Sequence, residues 1–219
     1  MDTRNDQDQV AASGIVSRFR SFLPVVVDIE TGGLNSGTDA VLQLAAVIVR
    51  MDEANRMFPA GTYSTHVEPF DGANIDPKSL ELNRIDPDHP LRMAKPEAEA
   101  LQYIFRPIRR EIRETGCTRA ILVGHNSWFD LCFLNAAVGR TGIRRNPFHP
   151  FSSFDTATLG GLAFGQTVLA RAVKASGASW DGREAHSAIY DAEKTAELFC
   201  AIVNRWDELN GFPEYTALT

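Results

Sequence analysis

The stretch PVVVDIETGG, residues 24–33, constrains this chain more than any other. Three consecutive valines call for a strand covered on both faces, as in the interior of an α/β sheet. That strand nevertheless ends in Asp28 and Glu30. Side chains alternate along a strand, so both carboxylates point the same way, roughly 7 Å apart. Like charges held that close in a partly apolar setting repel, so either a cation sits between them or one is protonated. A divalent metal ion meets that demand. A solvated strand end before the Gly-Gly turn is the other reading.

Around this strand the chain alternates between strand-like and helix-like patterns. GIVSRFRSFL reads as a short helix leading into it; AVLQLAAVIVRM and TYSTHVEPF read as two further strands, together a meander. DGANIDP and RIDPDHP are turn-rich loops. From Lys95 to Thr115 apolar residues recur at helical spacing. RAILVGHN is a short buried strand, SWFDLCFLNAAVGR a helix opened by Ser127, and PFSSFDT another short strand. TATLGGLAFGQTVLARAVKASG carries one or two helices, and AHSAIYDAEKTAELFCAIVNRWDELN is a long final helix with Gly211 as its stop signal. The sum is one α/β domain, a mixed central sheet flanked by helices, and 219 residues suffice for its core. Residues 1–14 read as a flexible arm, 15–211 as the domain and 212–219 as a tail.

A formal charge of −6 argues against coating nucleic acid through bulk charge, yet it is compatible with a nuclease, whose clustered acids are metal ligands. Cys117, Cys132 and Cys200 are odd in number and form no CxxC pair, which points to a reducing cytoplasm. The polar start lacks a signal core, and no apolar run is long enough to span a membrane.

Two later segments add acids. In GHNSWFD, Ser127 and Asp130 fit an S-x-x-D capping box; the alternative is that Asp130 points from a helix start towards the carboxyl edge of the sheet, where ligand sites of α/β folds lie. In HSAIYD, His186 and Asp191 are five apart, a spacing that does not share a helix face. They approach one site only if His186 lies on the loop before the helix and Asp191 in its first turns. A surface histidine and an ordinary dipole-compensating aspartate are the bland readings.

In order, D-x-E-T after a valine-rich strand, H-N-x-x-F-D after a second strand and H-x(4)-D opening a late helix resemble the DEDDh 3′→5′ exonucleases. The resemblance runs from about Arg18 to Trp206. HVEPFDGANI, RNPFHPF, FDTATLGGLAFGQTVL and FCAIVNRW are similar to its RNA-trimming members rather than to polymerase proofreading subunits. It implies a ribonuclease H-like exonuclease fold over 15–211. It also implies two Mg²⁺ ions, with Mn²⁺ as the alternative, held by Asp28, Glu30, Asp130 and Asp191, and His186 as general base. Tyr190 does not match the tyrosine of the sister group, whose position is held here by Ser187. Neutral imidazole is the working form of the base, so activity is expected to rise with pH.

The resemblance further implies release of nucleoside 5′-monophosphates from single-stranded 3′ ends of transfer RNA and other small stable RNAs, with single-stranded DNA as a second substrate. Thr31, Gly33 and Leu34, after D-x-E, would face the terminal nucleotide. Phe129 and Phe151 would stack on bases, core packing being their other reading. Leu34 and Leu82 stand where the nearest members carry phenylalanine, which weakens any base preference carried over. Arg18 and Arg20 before the first strand, Arg106, Arg109, Arg110, Arg113 and Arg119 on or after the long helix, and Arg144 and Arg145 read either as solvated faces or as a phosphate-binding strip; by resemblance Arg18, Arg20, Arg119 and Arg144 match a strip that serves the partner's site in a homodimer. The rivals are a DNA-directed proofreading or repair enzyme with the same five residues, a nucleic-acid-binding module without chemistry, and a regulatory metal-binding protein, which would not need His186.

Overall fold

The computed structural model describes residues 14–211. The arm expected over 1–14, except Gly14, and the tail over 212–219 lie outside them.

The sheet is built from β1 (Phe22–Thr31), β2 (Val41–Met51), β3 (Met57–His66), β4 (Arg119–Gly124) and β5 (Phe148–Asp155), in the order β3-β2-β1-β4-β5. The first three form the expected antiparallel meander, and β4 and β5 join β1 in parallel. Helices α1 (Pro77–Asn83), α2 (Glu97–Thr115), α3 (Trp128–Thr141), α4 (Thr156–Phe164), α5 (Leu169–Ala175) and α6 (Ala188–Glu208) complete the order. This is the mixed, helix-flanked sheet that the sequence predicts.

Leu23, Val25, Val26 and Val27 are all buried because β1 lies centrally with helices on both faces. Ile29 packs with Leu44, Leu101 and Leu134 on the α2–α3 side. By alternation Asp28 and Glu30 then face the opposite layer, which α6 covers.

Three local expectations differ. The segment Ile15–Ser21 forms two single 3₁₀ turns with left-handed Phe19, Arg20 and Ser21 rather than one helix. Helix α1 was not foreseen; Asp76 caps it by accepting from Lys78 N at 2.9 Å, and Pro77 opens it. The last helix is closed by left-handed Asn210 (φ 54°), not by Gly211, whose N–H donates to the Trp206 carbonyl. Among the described residues no helix is long and apolar enough to cross a membrane.

Candidate active site

The carboxyl end of β1 meets the N-termini of α3 and α6, which approach from opposite faces of the sheet. Each delivers one acid. On the α3 side, Ser127 makes no side-chain cap; its Oγ pairs with Ser153 Oγ at 2.9 Å. The capping-box reading therefore fails. Asp130 is buried instead against β1, its Oδ1 accepting from Ile29 N at 3.0 Å. Gly124, ending β4, makes room: a Cβ there would stand 3.1 Å from Asp130 Oδ2 and 3.0 Å from Ser127 Cα.

On the α6 side, His186 lies on the loop with a left-handed backbone (φ 65°), and Asp191 lies in the first turn. The His186 N–H donates to Asp191 Oδ2 at 3.1 Å. Gln43, facing Glu30 across the β1–β2 ladder, accepts from Ala188 N at 3.2 Å and so holds the helix start against the sheet. Ligand atoms of Glu30, His186 and Asp191 lie within 4.8 Å of one another. Asp28 sits behind them, close enough to feel the charges of Asp130, Glu30 and Asp191.

That crowding has an electrostatic cost. Burial pushes the Asp28 carboxyl well up, and Asp130, Glu30 and Asp191 push it further. Burial, then Asp191, pushes Glu30 up to about 7. Asp130 is also raised by burial, despite the Ile29 hydrogen bond. Asp191 is raised by burial, against the pull of the His186 N–H and imidazole. Asp191 Oδ1 is buried and has no hydrogen-bond donor among the described residues. Carboxylate oxygens crowded this way, one of them orphaned, with an imidazole alongside, suit a hard divalent cation.

The chain can now be placed among known proteins. Ribonuclease T of Hahella chejuensis is 59% identical over 200 residues, which span 91% of this chain and 92% of that protein. The family model described as Exonuclease, of the RNase T type, matches residues 25–199. This chain belongs to the RNase T exonuclease family. Its fold is shared with E. coli exonuclease I. The complex of that enzyme with a dT13 oligonucleotide superposes with a TM-score of 0.65 at 18% identity, over 87% of this chain and 43% of that one. The zinc-bound form of its single-stranded DNA complex gives 0.64 at 18% identity, over 87% and 42%. This chain thus spans less than half of exonuclease I, and the shared part is the ribonuclease H-like exonuclease fold.

The segment after β1, expected from the resemblance to face the terminal nucleotide, is tightly tied. Thr31 Oγ1 donates to the Gly33 carbonyl at 2.6 Å, Asp76 N to the Gly32 carbonyl, and Asn83 Nδ2 to the Thr31 carbonyl at 3.1 Å. These bonds set Leu34 (84% exposed) and Leu82 (57% exposed) on segments anchored to the end of β1. A Cβ on Gly33 would fall 2.0 Å from Asp39 Oδ2. Gly33→Ala is expected to cost about 1–3 kcal/mol by overpacking, read as a lower melting temperature. Phe129 is half-buried on Phe133 at 4.8 Å, which meets the core-packing reading, whereas Phe151 on edge strand β5 is 80% exposed.

Arg20, Arg119 and Arg144 are exposed, Arg20 lying over the Phe22 ring at 5.2 Å. Arg18 pairs with Asp207 at 3.0 Å. The Tyr190 hydroxyl accepts from Asp181 N, a structural role. Sequence reasoning missed Gln43, Asn83 and Trp128. Gln43 is a lone polar residue inside a buried apolar run, a legible signal. Trp128 opens α3, two residues before Asp130, and is 64% exposed.

Proposed function

We propose that this chain is a 3′→5′ exoribonuclease. It hydrolyses the last phosphodiester of single-stranded 3′ ends on transfer RNA and other small stable RNAs, and takes single-stranded DNA as well. The convergence of Asp28, Glu30, Asp130, Asp191 and His186 from three elements onto one end of the sheet carries this reading. The four acids would hold two Mg²⁺ ions, with Mn²⁺ as a substitute. Such ions would supply positive charge for the phosphate and leaving oxygens.

The remaining chemistry falls to the protein. His186, exposed on its loop, accepts the proton of the water that attacks phosphorus. The bond from phosphorus to the 3′ oxygen of the penultimate nucleotide breaks, that oxygen takes a proton from solvent to become the new 3′ hydroxyl, and a nucleoside 5′-monophosphate leaves. The Asp191 bond to the His186 N–H fixes the loop carrying the base. Leu34 and Leu82 flank the terminal nucleotide, with Phe151 further out along the strand.

The homodimer reading has a geometric support. Arg119 pairs in register with Phe22, six residues before Asp28 on β1. At about 3.3 Å per residue that is roughly 20 Å. Arg18, Arg20 and Arg144 belong to the same end of the sheet, by chain position. On the homodimer reading, a strip that far from its own site would serve an end held by the second subunit.

The deciding experiment is a time course on a 5′-labelled RNA hairpin with a short 3′ tail, with Mg²⁺ or with chelator, beside the matching DNA. Stepwise shortening that halts near the duplex and needs metal is the expected result. His186→Ala should cut turnover about 10²–10⁴-fold with RNA affinity retained. Fast cutting of DNA with little of RNA would favour the repair reading, and loss of binding together with turnover would remove His186 from the role of base.

A further inference from the structure

Helix α2 concentrates positive charge beyond the strip just described. Arg106, Arg109, Arg110 and Arg113 fall at spacings of three and four, so they line one side of the helix. Two grooves flank this row and share Arg109 and Arg113. One, of about 310 Å³, is completed by Thr118, Arg119, Arg145 and Asn146. The other, of about 530 Å³, is completed by Tyr63 of β3 and by Tyr103, Arg106 and Arg110.

These cations are poorly matched by acids. Glu111 is taken by Arg50 through two bonds of 2.5 and 2.6 Å. Glu114 is shared, 3.7 Å from Arg110 and 4.0 Å from Arg50. Among the described residues Arg106, Arg109, Arg113 and Arg145 have no carboxylate within 4.0 Å. Arg109 instead donates to the Arg145 carbonyl and to Gln102 Oε1. Burial, then the charges of Arg145, Arg106 and Arg113, draws its guanidinium below the ordinary value. In a chain of net charge −6, a row of cations that crowd one another marks a place for a polyanion.

We propose that the tyrosine-lined groove between α2 and β3 docks the phosphate backbone of an RNA duplex, the body upstream of the 3′ tail being trimmed. This rests on the exoribonuclease reading above. Duplex RNA is held through its shape, its phosphates and its 2′ hydroxyls, and arginine and tyrosine make such contacts. The two grooves adjoin along Arg109 and Arg113, and the first contains Arg119 of the strip. A backbone lying on the strip has only that row of arginines to cross to reach the tyrosine groove. That adjacency favours RNA over an acidic polypeptide.

The test compares two substrates on the full chain: the tailed hairpin, and a short single-stranded oligonucleotide with the tail sequence alone. Arg106 and Arg110 are exposed, so Arg106→Ala/Arg110→Ala should melt with the parent; Arg106→Ala alone serves if it does not. The expected result is a roughly tenfold higher KM on the hairpin, unchanged kcat, and a salt slope shallower by about 2. The short oligonucleotide should be cut as by the parent, and the double lysine variant should keep hairpin affinity. Equal weakening on both substrates, no change on either, or competition by polyglutamate but not by duplex RNA would each overturn the proposal. If the parent cuts neither substrate, the exoribonuclease reading falls instead, and hairpin binding by fluorescence anisotropy still tests the groove.

Discussion

Asp28→Asn is expected to slow RNA end trimming by about 10³-fold or more while the protein stays folded and still binds RNA. Asn keeps the size of the side chain and removes its charge. Burial, then Asp130, Glu30 and Asp191, each raise the Asp28 carboxyl. Ionising it is unfavourable without a cation, which is what the proposed cation-binding role of this carboxylate predicts. The same substitution should therefore raise the melting temperature of the metal-free protein near neutral pH, because the cost of keeping that buried carboxyl, either ionised among three other acids or protonated above its ordinary range, disappears. Single-turnover cleavage, fluorescence anisotropy with labelled RNA, and melting in chelator read the three effects. Activity within tenfold of the parent would remove Asp28 from the catalytic set.

Much of this site is legible in the sequence because its parts are local. The valines place β1 in the interior, and a two-residue period puts Asp28 and Glu30 on one face. The H-x(4)-D spacing is informative because it cannot share a helix face. That forces His186 onto the loop, where it lies with left-handed backbone. The errors lie where tertiary contacts override local preference. Ser127 and Asp130 have the spacing of a capping box, yet Ser153 and the Ile29 N–H compete for them and win. Helix α1 has a short core-facing pattern and is held by capping and by the Asn83 bond to Thr31. Phe129 illustrates a third case. Its position beside Asp130 and one turn before Phe133 is visible in the sequence, but its half-burial against the core is decided by tertiary packing.

Metal-free protein should lose stability as pH rises from about 5 to 8, and Mg²⁺ should restore it increasingly over the same range. The sign follows from proton binding. Glu30 titrates at about 7 in the folded chain against an ordinary value of 4.5, and Asp28, Asp130 and Asp191 are raised as well. Between those limits the folded state holds more protons than the unfolded state, so stability falls with rising pH. Glu30 alone accounts for about 1–3 kcal/mol once its partial exposure is allowed for, or several degrees of melting temperature. Two histidines act in the opposite sense. Burial, then Arg92, holds His66 low, and burial holds His125 low against the Thr167 carbonyl and Asp155. Both favour the folded state as pH rises through the region of 6.5. Neither is one of the candidate ligands, so their contributions cancel when melting with Mg²⁺ is compared with melting in chelator. That difference should widen steadily up to about pH 8, and Glu30→Gln should flatten it. A difference that stays constant with pH would show that the acids are already ionised without a cation, and that their crowding costs the fold nothing.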